Sequence, residues 1–115
     1  MSLSHDLRAW VLLLGASAAQ GHAHLQQVTP AGGSVVTSAP TQLVLRFSEA
    51  ARLIVLSIAQ GDGPPQKLTS LPQQSQTTIV VKLPALSPGR YVVSWRVMSV
   101  DGHVVPGEIH FTLNQ

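Results

Sequence analysis

The chain of 115 residues reads as all-β, an immunoglobulin-like Greek-key β-sandwich or barrel of about seven strands. Three observations predict this. Past residue 24, apolar side chains recur at every second position through one segment after another, the period of half-buried strands. Proline and glycine collect in the breaks between those segments, where turns need them. Neither an amphipathic helical period nor an internal repeat interrupts the pattern.

Leu25 to Thr29 is a first short strand, ended by Pro30-Ala31-Gly32-Gly33-Ser34. Thr41 to Ser48 alternates, with Leu43, Leu45 and Phe47 on one face, and Arg52 to Ile58 is a further, separate strand. Gly61-Asp62-Gly63-Pro64-Pro65 turns the chain, and a weak strand follows over Lys67 to Leu71. Gln76 to Leu83 is β-branched and places Ile79, Val81 and Leu83 inward. Leu86-Ser87-Pro88-Gly89 is a tight turn into Arg90 to Val97, whose inward set is Tyr91, Val93, Trp95 and Val97. Val105 to Leu113 closes the domain on Ile109, Phe111 and Leu113, with His110 pointing outward between them. Met98 is expected to fill a gap in the core, a common use of its flexible side chain.

The chain opens on a different pattern. Ala9 to Ala19 is an apolar stretch with Arg8 before it and small residues after it, the layout of an export leader. It falls short of the roughly 20 apolar residues that cross a bilayer. Ala23, with Gly21 two positions earlier, fits the small-x-small site of signal peptidase; cleavage after Ala19 or Gly21 is the alternative, and either would leave His24 without the free α-amine that an N-terminal ligand needs. Residues 1–23 are therefore predicted to be a cleaved signal peptide, and residues 24–115 one small exported domain, a soluble monomer without a membrane span. Only 10% of residues are charged, the formal net charge is +2, and no basic run occurs, which argues against nucleic acid as a partner. The chain has no cysteine, which excludes disulfides, thiolate zinc or Cu(I) sites and thiol redox chemistry.

Cleavage after Ala23 gives His24 a free α-amine beside its own imidazole. Such an amine loses its proton near pH 7.7–8.0, at about neutral pH, and with Nδ1 of the same residue it closes a chelate ring on one metal ion. Far downstream, Asp101-Gly102-His103 sets a carboxylate and a second imidazole one glycine apart. Gly102 allows a tight turn that aims both at one point, and side chains at i and i+2 share a side of an extended backbone. Asp-Gly is equally a common hairpin turn. An amine, two imidazoles and a carboxylate form a ligand set suited to Cu(II).

The chain resembles the CopC family of periplasmic copper-binding proteins. The resemblance is carried by Ala23-His24-Leu25, Val28-Thr29-Pro30-Ala31-Gly32-Gly33 and Leu45-Arg46-Phe47-Ser48-Glu49. It continues through Leu86-Ser87-Pro88-Gly89-Arg90-Tyr91, Trp95-Arg96-Val97-Met98-Ser99-Val100-Asp101-Gly102-His103 and Val105-Pro106-Gly107-Glu108-Ile109-His110-Phe111. It implies a Greek-key fold with Cu(II) held by the amine and imidazole of His24, by Asp101 and by His103. It also implies an outer-shell role for Glu49, which can accept a hydrogen bond from a ligand imidazole or amine. Some family members carry a methionine-rich loop for Cu(I). The corresponding stretch here, Gly61 to Gln76, has neither Met nor His, so one Cu(II) site and no Cu(I) site are expected.

The function expected on this basis is a Cu(II) carrier or buffer in the periplasm, serving copper homeostasis or resistance without catalysing a reaction. It would pass copper to an inner-membrane transporter of the CopD type. A terminal histidine with a second histidine also forms the copper brace of lytic polysaccharide monooxygenases. There, however, coordination stays open for oxygen, whereas Asp101 would fill a position here. A metal-free immunoglobulin-like interaction module is the other alternative, favoured if the leader is retained.

Overall fold

The protein is described by a computed structural model over residues 23–115. Every regular element there is a strand: β1 (Leu25–Thr29), β2 (Ser34–Val36), β3 (Gln42–Gln60), β4 (Gln66–Lys67), β5 (Gln76–Lys82), β6 (Gly89–Ser99) and β7 (Val104–Leu113). The predicted leader lies outside the described residues, apart from Ala23.

The alternation read from the sequence becomes the core. Leu43, Leu45, Phe47, Ile79, Val81, Leu83, Tyr91, Val93, Trp95, Val97, Ile109, Phe111 and Leu113 are all buried in one cluster. Each such side chain contributes about 1.5–3 kcal/mol by leaving water. Tyr91 and Phe111 face each other across β6 and β7 and stack with centroids 5.3 Å apart.

Two predicted strands prove to be one. Ser48-Glu49-Ala50-Ala51 contains no glycine or proline to turn the chain, so β3 runs on through residues 42–60. Its first half lies between β1 and β5, and its second half pairs with β6 and β4. This double use makes a single curled sheet, ordered β1-β3-β6-β7-β2, enclose one core from both sides. The inward phase of β3 changes on the way, from Leu43, Leu45, Phe47, Ala51 and Leu53 to Leu56 and Ile58. A register shift against β6 between Leu53 and Val55 accounts for the change, since one inserted residue reverses every later side chain.

One strand went unread in the sequence and one expectation is corrected. β2 falls just after the Pro30–Ser34 turn and pairs with β7 in parallel, whereas the other pairs are antiparallel. Three residues at a sheet edge carry no readable period. Met98 does not fill the core: Val97 and Ser99 take the inner face of β6, so Met98 lies half-buried on the outer face.

Candidate metal centre

The β6–β7 hairpin ends in a loop of four residues, Val100, Asp101, Gly102 and His103. The Ser99 N–H donates to the His103 carbonyl at 2.9 Å, and the Gly102 N–H donates back to the Ser99 carbonyl at 2.9 Å. Gly102 closes the turn with φ of +90°, which side chains rarely adopt. Turn geometry, rather than strand alternation, thus brings the Asp101 and His103 side chains together. Nδ1 of His103 lies 3.0 Å from Oδ2 of Asp101.

The other carboxylate oxygen is also occupied. Oδ1 of Asp101 accepts a short hydrogen bond from the Ser99 hydroxyl and a 3.2 Å bond from the His103 backbone N–H. Stabilising the anion makes protonation harder. The Ser99 hydroxyl, with the His103 N–H second, holds the Asp101 carboxyl at about 2, below its ordinary 3.8. Ser99 itself is buried, at 3% exposure, inside the apolar shell.

His24 is held at the start of another strand. It immediately precedes β1, which pairs with the first half of β3. Its backbone nitrogen donates to the Ser48 hydroxyl at 2.9 Å, and its carbonyl accepts from the Ser48 N–H at 2.8 Å. A register shift between Leu25 and Gln27 separates this anchored residue from the regular part of β1. A few positions beyond Ser48, Ala51 is paired with Ser99 of β6. One segment of β3, Ser48 to Ala51, therefore links the two halves of the expected site.

Asp101 and His103 form a close pair. Among the described residues, however, no three His, Asp or Glu side chains lie close enough together to hold one metal ion. The donor expected from His24 includes its nitrogen, which is a peptide amide while Ala23 precedes it. Glu49 is half-buried on β3 next to Ser48. His110 points outward as its position between two core residues requires, and its Nε2 lies 3.1 Å from Oε2 of Glu108. The structure adds roles for two hydroxyls that the sequence reading left without one, those of Ser48 and Ser99. Both lie in segments that carry the family resemblance; the contact of Ser99 is local, two residues from Asp101, whereas that of Ser48 follows from strand pairing.

A CopC domain model matches residues 25–114, more than three quarters of the chain. The chain belongs to the CopC family. Protein YobA of Escherichia coli strain K12 is 36% identical over 118 residues, spanning 97% of this chain and 94% of that one. Copper resistance protein C of Pseudomonas syringae pv. tomato is 28% identical over 109 residues, 86% of each chain. The crystal structure of CopC from Methylosinus trichosporium OB3b superposes with a TM-score of 0.72 at 28% identity, covering 81% of this chain and 94% of that one. The CopC match begins at Leu25, directly after the histidine on which the proposed site depends.

Proposed function

We propose that this CopC-family chain is an exported Cu(II) carrier, active in the periplasm after removal of residues 1–23. One Cu(II) is bound by the α-amine and imidazole of His24, by Asp101 and by His103, with Glu49 orienting a donor from outside the coordination sphere. The metal is cargo and no substrate is transformed. Transfer to an inner-membrane transporter of the CopD type completes the role.

The observation that carries this reading is the Asp101–His103 pair. Two donors at about 2.0–2.1 Å from one ion and at right angles to each other stand about 2.9 Å apart. Nδ1 of His103 and Oδ2 of Asp101 are 3.0 Å apart. That is a hydrogen-bond distance in the metal-free chain, and it is compatible with two neighbouring ligands of one tetragonal ion. The names of the copper resistance relatives point the same way.

Export of the whole chain in a bacterial host tests the reading. The expected product starts at His24 by mass spectrometry, takes up one equivalent of Cu(II), and shows no tight uptake of Cu(I) under anaerobic, reducing conditions. A product that retains its leader and binds no copper would support the metal-free interaction module. Tight stoichiometric Cu(I) uptake would contradict the single Cu(II) site.

A further inference from the structure

We propose that two serine hydroxyls, those of Ser48 and Ser99, are the positioning groups of the copper site, each fixing one donor without touching the metal. The proposal deepens the Cu(II) reading above and rests on it.

Ser99 is the only buried polar or charged residue among the described residues. A hydroxyl in an apolar shell is costly unless it is hydrogen-bonded, so its placement calls for a partner. That partner is Oδ1 of Asp101, with the His103 carbonyl at 3.2 Å as a weaker second contact. The hydroxyl has one proton, and the shorter contact takes it. With Oδ1 held by Ser99, Oδ2 is the oxygen turned toward His103, where the metal would be shared. Ser99 is fixed in turn by its place in β6 opposite Ala51 of β3. The Asp101 carboxylate is therefore oriented both by a residue anchored in the core of the protein and, through the His103 N–H, by the turn itself.

Ser48 does the equivalent for the other half. Its oxygen accepts from the backbone nitrogen of His24 at 2.9 Å. Once the peptide bond before His24 is cut, that nitrogen becomes an amine. A metal takes the amine's lone pair and leaves its N–H bonds to donate, so the contact to Ser48 is compatible with coordination. The second bond, from the Ser48 N–H to the His24 carbonyl at 2.8 Å, keeps the residue in place on β3 while the amine binds. Outer contacts of this kind fix ligand direction and reduce the ordering needed on binding.

The test uses the whole chain exported with its leader, the processed product purified, and its first residue checked by mass spectrometry. Cu(II) affinity is measured against a competing chelator and the site is read by electron paramagnetic resonance. The proteins compared are the unsubstituted chain, Ser99→Ala, Asp101→Ala, the double variant, Ser48→Ala and Ser48→Thr. Ser99→Ala is expected to weaken Cu(II) binding by about 10–100-fold and to alter the copper spectrum. In the Asp101→Ala background it should add nothing, because Ser99 acts through Asp101. Ser48→Ala should weaken binding, and Ser48→Thr, which keeps the hydroxyl, should restore it.

Alanine variants that match the unsubstituted protein in affinity and spectrum would overturn the proposal while leaving the carrier reading intact. So would an equal Ser99→Ala loss with and without Asp101, which marks a general structural effect. An unsubstituted processed chain that binds no Cu(II) removes the carrier reading and this proposal together. If thermal unfolding shows that Ser99→Ala does not fold, the exposed Ser48 pair decides: loss in Ala with recovery in Thr supports the proposal, and no difference between them overturns it.

Discussion

At the middle of the β6–β7 hairpin, Trp95 lies across Gly107. A Cβ on that glycine would collide with the indole atoms Cε2 and Nε1. At the tip of the same hairpin, Ser99, Asp101 and His103 are joined by hydrogen bonds, and the side chains of Val100 in the loop and Val104 just after it are exposed. The middle derives its stability from apolar contact, and an atom added there must displace a neighbour. The tip is polar and solvent-facing and is fixed by directional bonds. Continuous strands connect the two, so one element serves both as core and as scaffold. A site built this way can lose its chemistry without losing its fold, and the reverse substitutions should separate the two regions.

The largest contrast is between ligands and core. His103→Ala and His24→Ala are each expected to weaken Cu(II) binding by orders of magnitude and to leave thermal unfolding of the metal-free protein nearly unchanged, because both residues are exposed. Trp95→Ala should do the opposite and cost about 3–5 kcal/mol of stability, the usual loss for a buried tryptophan. Chelator competition and denaturant unfolding on the same samples measure both. Unfolding by His103→Ala with copper affinity spared would break the contrast.

Gly107→Ala sharpens it. The new methyl must displace the indole or the strand, and overpacking of this kind costs about 1–3 kcal/mol. Denaturant unfolding should show the loss, with copper affinity of the folded fraction retained.

The smallest expected effect concerns pH. The Asp101 carboxyl is lowered to about 2 from 3.8. A lowered acid contributes stability that is fully present above its ordinary value and is lost as pH falls through the folded one. The hydrogen bonds of the hairpin tip should therefore persist in the metal-free protein until pH falls from about 4 toward 2. Copper should leave earlier on acidification, as protons compete for the amine and imidazole nitrogens. Parallel titrations by nuclear magnetic resonance of Asp101 and by the copper spectrum check the order. Copper loss that tracks Asp101 instead would assign the dominant role to the carboxylate.

The regions also differ in how far the sequence discloses them. Strong alternation in Leu43-Leu45-Phe47, Ile79-Val81-Leu83 and Tyr91-Val93-Trp95-Val97 identified the core faces, because burial on one side of a strand imposes a period of two. The continuity of β3 was hidden, since Ser48 to Ala51 breaks that period without a turn. Asp101 and His103 were legible as neighbours through the glycine between them. The roles of Ser48 and Ser99 were not: Ser48 gains its own from what strand pairing places beside it, and the Ser99 contact, although local, depends on the turn that folds Asp101 back onto it. The bond from Ser48 to the His24 nitrogen and the pairing of Ala51 with Ser99 span distant parts of the chain, and no local pattern encodes them.

The central claim is that a new N-terminus at His24 is a copper ligand. The most direct test compares Cu(II) binding by the processed chain starting at His24 with binding by the same chain carrying one extra glycine before it. Electron paramagnetic resonance and a competing chelator read both. The account predicts one tightly held Cu(II) in the first protein, and much weaker, spectrally different binding in the second. Equal affinity and identical spectra in the two proteins would place the terminal amine outside the site and contradict the account.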